Sequence, residues 1–224
     1  MASGYIDFYG NDITELDETI LSNILRTPAL KKAMDKIYRD LHRERSKKDT
    51  GGLWDFPIIN TIRGKVQTRR FIEGIEKRDI LVGGVDKKNL RETDKGQTLG
   101  AMQSSQEGLK LPKINRYIPF INKKDSLISM ALKPEGGSSS FLQTLIHEGG
   151  HMPPIIGRTI RHDKIGQEVF GAITNKHLEE AFKALSKEEL NFLKKQINSF
   201  RTLSTGVSPG GNYPDYVIDS FKAD

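Results

Sequence analysis

The chain has no cysteine among its 224 residues. That one absence removes a disulfide scaffold, a thiolate metal site and a cysteine nucleophile together. Any metal must then be held by His, Asp or Glu. Long hydrophobic runs are missing as well. The most apolar stretch, Ile114 to Leu132, is interrupted by Arg116, Lys123, Lys124 and Asp125, whereas a membrane span needs roughly 18 to 20 uninterrupted apolar residues. The first residues, Met1 to Phe8, offer neither a basic n-region nor an apolar h-region, so no cleavable secretory signal is expected. On this reading the chain is cytoplasmic in its producer, or leaves through a dedicated secretion or injection apparatus. An excess of one charge is also nearly absent: 35 Lys plus Arg against 29 Asp plus Glu leave a net +6. Basic residues gather in Lys31 to Lys48, in Arg63 to Arg70 and at Lys87, Lys88 and Arg91, but acids are interleaved. With no groove-reading helix, stacking aromatics or zinc finger beside that mild bias, nucleic acid is not an expected partner.

What remains suits a single packed domain. The hydrophobic fraction is 36% and the charged fraction 29%, enough apolar surface to form a core. Leu16, Ile20, Ile24, Ala33, Ile37 and Leu41 recur at helical spacing, so residues 1 to 50 read as a helical lead-in, split at Pro28 and capped by Asp12 or Thr14. From Thr50 to Val85 short β-branched runs (57–62, 65–72, 79–82) alternate with Gly64, Gly74 and Gly83-Gly84, the texture of a small sheet of hairpins. Polar residues 86 to 113 lack periodicity and read as a long surface loop. Ser126 to Leu132 reads as a strand, so residues 51 to 132 form the sheet region.

Ser138 or Ser139 caps the next predicted helix, whose Phe141, Leu142, Leu145 and Ile146 make one apolar stripe ending before Pro153-Pro154. A helix from about Lys164 to Leu185 follows. Ser186 to Glu189 is a capping box opening a third helix to about Phe200, and 201 to 224 form a tail. The fold class expected is α+β, with a helical N-terminus, a small mostly antiparallel sheet, and two functional helices in 133 to 200.

Residues 147 to 151 read His-Glu-Gly-Gly-His, on a helix inferred from independent signals. Four residues apart, His147 and His151 share one helical face, one turn above the other, and both imidazoles can reach one metal ion. Glu148 can enter the same cleft without ligating and take a proton from attacking water. Gly149 and Gly150 cost about 1 kcal/mol each relative to Ala within a helix. They imply either a close approach of another backbone or of substrate to the helix, or an early fraying before Pro153.

This pattern resembles the zincin metallopeptidases, defined by HExxH on an active-site helix. The resemblance implies a catalytic Zn²⁺ with three protein ligands, His147 and His151 as two of them, and Glu148 as the general base. It is carried by residues 126 to 185. The metzincin continuation fails, since Pro154 and Gly157 stand where Gly and His are required. For the third ligand, Glu168 on the following helix matches the gluzincin arrangement and the ligand helix of small toxin and effector peptidases; His162 is the alternative ligand or an oxyanion donor. A helix packing through Ile165, Val169, Ala172 and Ile173 would aim Glu168 at the ion. The ExxxD pattern would need Asp at Ala172, which leaves Asp163 as the substitute partner behind a ligand. Tyr213, Tyr216, His162 and His177 are the oxyanion-donor candidates, Tyr213 first, and strand 126–132 is the candidate edge for an extended substrate.

The resemblance therefore implies a zinc metalloendopeptidase acting on a protein or peptide substrate. It further implies a bacterial toxin or effector, with a delivery apparatus or cognate immunity protein as partners. A non-catalytic basic binding or structural component of a phage or injection particle is the alternative.

Overall fold

The computed structural model describes residues 14–50, 56–85, 92–93, 96–97, 100–104, 126–131, 141–155 and 159–205. In chain order these form β1 (Thr14–Glu15), α1 (Glu18–Leu25), α2 (Pro28–Thr50), α3 (Pro57–Glu76), β2 (Ile80–Val85), β3 (Glu92–Thr93) and β4 (Gly96–Gln97). They continue with β5 (Gly100–Ser104), β6 (Ser126–Ala131), α4 (Phe141–Gly150), α5 (His162–Ile165), α6 (Gln167–Ala184) and α7 (Lys187–Thr205). The described residues are mostly helical. No helix among the described residues is long and apolar enough to cross a membrane.

Within the expected helical lead-in, Glu18–Leu25 and Pro28–Thr50 are helical, divided at Pro28 as expected. Its cap, however, is Asp17, whose carboxylate accepts from the Thr19 and Ile20 backbone N–H groups at 2.9 and 3.0 Å; Thr14 belongs to β1 and Asp12 lies outside the described residues. Leu30, Met34, Ile37, Tyr38 and Leu41 on α2 are fully buried, a stripe at three- and four-residue intervals that drives the helix against its neighbours.

The largest departure from the sequence reading lies in residues 57 to 76, where α3 replaces the predicted hairpins. The buried positions of α3 are Asn60, Gly64, Gln67, Thr68, Phe71, Ile72 and Ile75 among others. That is a period of three to four, and it includes polar residues whose burial composition does not announce. The glycine that suggested a turn has another purpose. A Cβ at Gly64 would lie 2.6 Å from the Asp35 carbonyl oxygen and 2.7 Å from the Arg39 nitrogen, so α2 and α3 cross with backbone against backbone. Gly64→Ala should therefore lower stability by about 1–3 kcal/mol, read as a fall of several degrees in the thermal unfolding midpoint. An unchanged or higher midpoint, as expected from helix propensity alone, would mean the helices do not meet there.

The sheet has the order β1-β2-β6-β5. β1–β2 and β5–β6 are antiparallel, while β2–β6 is parallel, pairing Ile80 with Ser126 through Val85 with Ala131. It is thus small and mixed, with two antiparallel pairings of three. Two expectations change here. Part of the stretch read as a loop, residues 100 to 104, is a strand, and β6 lies inside the sheet between β2 and β5. Among the described residues β5 is the outer strand on the side of α4, so β6 is not the substrate edge.

The core joins both layers: Ile128 and Met130 of the sheet, Phe141, Leu142, Leu145 and Ile146 of α4, and Phe170, Leu178 and Phe182 of α6 are all buried. The apolar stripe of α4 is as predicted, while its expected caps, Ser138 and Ser139, lie outside the described residues. The capping box of α7 forms: Ser186 N–H donates to the Glu189 carboxylate at 2.9 Å, and Glu189 N–H donates to Ser186 Oγ at 3.1 Å.

Candidate metal centre

Three histidines from three short pieces of chain converge. His147 stands on the last full turn of α4, His151 in the turn that ends it, and His162 opens α5. His147 Nε2 lies 2.8 Å from His162 Nε2, and His151 Nε2 lies 3.1 Å from the same atom. One ligand atom from each ring falls within 4.8 Å of the other two. Tetrahedral zinc with Zn–N near 2.0–2.1 Å sets its donors about 3.3 Å apart, so small ring movements would seat a cation among them.

His151 is held from behind, and all three rings rest against one aromatic side chain. His151 Nδ1 donates to the Ile160 carbonyl at 2.8 Å, which fixes the tautomer and leaves Nε2 bare toward the cluster. Phe170 of α6 is the floor beneath all three, with ring centroids 4.0, 4.8 and 5.2 Å from those of His147, His151 and His162. Burial on this apolar floor lowers every imidazole. His147 falls to about 2, with the neighbouring His151 and His162 rings adding to the effect, and His162 to about 4. His151 is lowered too, although its bond to Ile160 opposes burial. At neutral pH the rings are uncharged, and the Nε2 atoms of all three face a common point. Such a donor set fits a borderline cation and is poorly suited to Mg²⁺ or Ca²⁺, which take oxygen.

Glu148 lies under β5. A Cβ at Gly100 would sit 2.6 Å from Thr144 Cγ2 and 3.3 Å from Glu148 Oε1; glycine lets the strand pass this closely. The Met102 backbone N–H bonds to the Glu148 carboxylate, yet burial dominates and pushes the carboxyl up to about 7. Met102 also lines the open cleft shared by His151, His162, Pro153, Thr159 and Ile160, which brings the carboxylate's partner to the mouth of the histidine cluster.

The two glycines of the motif answer to packing. A Cβ on Gly149 would meet Tyr38 Oη at 2.5 Å and Phe71 at 2.7 Å, and one on Gly150 would meet Phe170 at 2.6 Å. The close approach is by side chains of α2, α3 and α6 and not by the backbone or substrate expected, and α4 remains helical through Gly150, so early fraying is not the explanation.

Glu168 is not brought to the cluster. It is exposed in the first turn of α6, because α6 turns Phe170, Thr174, His177, Leu178 and Ala181 inward. The expected face failed at Val169, which is 41% exposed. Two residues apart on a helix point about 200° around the axis from one another, so a helix that offers Phe170 to the histidines turns Glu168 away. His162, the alternative candidate, is the residue brought to His147 and His151. Asp163 is exposed and lies 3.7 Å from Arg161 and 3.5 Å from Lys164; the partner behind His151 is a main-chain carbonyl instead. His177 is remote from the cluster in function: it is buried between α6 and α2, with Nε2 2.7 Å from Asp40 Oδ2. Tyr213 and Tyr216 lie outside the described residues. Phe170, Met102 and the Ile160 carbonyl were missed from the sequence, which carries no local signal for a main-chain acceptor or an aromatic floor.

No family model, no curated protein and no solved structure matches this chain.

Proposed function

We propose that the chain is a zinc-dependent peptide hydrolase of zincin type, with His147, His151 and His162 as the ligands. The observation that carries this reading is the convergence of three uncharged imidazoles, with the motif's carboxylate buried on the same helix and held by a main-chain N–H. An HExxH helix supplies two of the donors and the acid between them, and the cluster of three could hold a metal ion.

A zinc ion bound there would supply Lewis acidity, making water nucleophilic near neutral pH and polarising a carbonyl. Glu148 then acts through its own oxygens: it takes the proton of the attacking water and returns it to the departing amine. The Met102 N–H orients the carboxylate for that exchange, and the cover of β5 keeps it out of bulk water. An extended peptide is the substrate class favoured, since among the described residues β5 is the outer strand beside Glu148 and can pair with an added strand. The resemblance to toxin and effector peptidases extends the proposal to a protein substrate in a target cell.

Elemental mass spectrometry of the purified protein tests the reading. About one zinc per chain is expected, with chelator-sensitive release of peptides from an unstructured protein such as casein. A chain that takes up no metal after exposure to excess zinc would overturn it.

A further inference from the structure

The end of α4 is clamped from outside the histidine cluster. Gln67, buried on α3, directs its Nε2 at two carbonyl oxygens, those of Gly149 and Gly150, each at 3.0 Å. These are the carbonyls of the two peptide planes leading into His151; the Gly150 C=O belongs to the very amide from which His151 begins. The other end of the same side chain is also occupied, since Gln67 Oε1 lies 2.6 Å from His42 Nε2 of α2. A helix end leaves its last carbonyls without intrahelical partners. Here α4 tightens, with His151 N–H donating to Glu148 O at 3.0 Å and Met152 N–H to Gly149 O at 3.3 Å, and Gln67 completes the satisfaction.

We infer that Gln67, oriented by His42, is a positioning residue for His151: by fixing the two peptide planes before it, the pair sets the aim of Nε2 and so the affinity of the metal site. This deepens the metal reading and rests on it. The chemistry requires an amide. One end must accept from the His42 N–H while the other presents a two-hydrogen fork to two carbonyls, and only a side-chain amide has both. His42 fixes which way round the amide sits, because a flipped Gln67 would set its oxygen against both carbonyls. Burial keeps His42 neutral near pH 7, with its value lowered to about 4, so it bears a single ring N–H for that purpose. The second constraint on His151, its Nδ1 bond to Ile160, fixes the ring's tautomer and rotation but leaves the backbone to Gln67.

The test measures Co²⁺ affinity by chelator competition, together with the visible absorption of the Co²⁺-loaded protein. The native chain is compared with Gln67→Met, which keeps the volume and removes the fork, and with Ile75→Ala. Ile75 is buried two turns further along α3 and controls for lost stability alone. Gln67→Met should bind Co²⁺ about 10–100-fold more weakly, the range seen when support behind a metal ligand is removed, and should shift the ligand-field bands. Ile75→Ala should melt lower with affinity and spectrum unchanged. His42→Leu, which frees the amide to rotate, should move in the same direction as Gln67→Met and serves if that variant does not fold. Native affinity and spectrum in Gln67→Met, or in His42→Leu, would overturn the inference. Failure of the native chain itself to bind Co²⁺ or Zn²⁺ would instead remove the metal reading, and this inference with it.

Discussion

His162→Ala should empty the site of zinc, and Glu168→Ala should leave it filled. The two substitutions separate the ligand set assembled in space from the one suggested by helix succession. In the fold, His162 Nε2 lies 2.8 Å from His147 Nε2 and 3.1 Å from His151 Nε2, whereas Glu168 faces solvent on the far side of α6 from Phe170. Removing one of three donors should weaken zinc by more than the roughly 10–100-fold that follows loss of a partner behind a ligand. Zinc per chain, measured after dialysis against a weak chelator, reads the difference. Loss of zinc in Glu168→Ala would require α6 to rotate on metal loading, and would restore the Glu ligand. The chemistry would also differ: three neutral imidazoles leave the ion its full +2 charge, while a carboxylate ligand would offset part of it.

Glu148→Gln should keep the zinc and lose turnover by about 10²–10⁴-fold, the range associated with a positioned general base. The same substitution should strengthen the metal-free fold at alkaline pH. Burial raises the folded-state value of Glu148 to about 7, from an ordinary 4.5, so the folded chain holds this proton more tightly than the unfolded chain. Its contribution to stability is fully present below about 4.5 and is lost as pH rises through 7. Glutamine carries no such proton. The native chain should therefore lose on the order of 2–3 kcal/mol relative to Glu148→Gln between pH 5 and pH 8, measured by denaturant unfolding of the metal-free proteins. Subtracting the two curves removes the opposite acid sensitivity of the buried histidines. A difference that does not change with pH would show that Glu148 is better solvated than its position under β5 implies. A buried carboxylate that weakens the fold is the expected signature of a group retained for chemistry.

The sequence by itself determined the elements whose cause is local. Pro28 divides the first two helices, Ser186 and Glu189 cap α7 reciprocally, and the stripe from Phe141 to Ile146 makes α4 a core-facing helix. The spacing of His147, Glu148 and His151 placed two imidazoles and a carboxylate on that helix and the turn that ends it, because the α-helical repeat is fixed by backbone geometry. Only the tertiary structure decided the rest, and the reasons are physical. Residues 57 to 76 carry β-branched side chains that favour strands weakly, but packing of α3 on α2, down to backbone contact at Gly64, overrides that preference. The face that α6 buries was ambiguous by one residue's rotation, about 100°, and core packing of Phe170 and Phe182 settled it. That rotation turns Glu168 to solvent, while His162 reaches the cluster from α5. The supports of the site (the Ile160 carbonyl, the Met102 N–H and the Gln67 fork) come from segments up to 84 residues from the site residue they serve, and two of the three are main-chain groups that carry no residue-type signature.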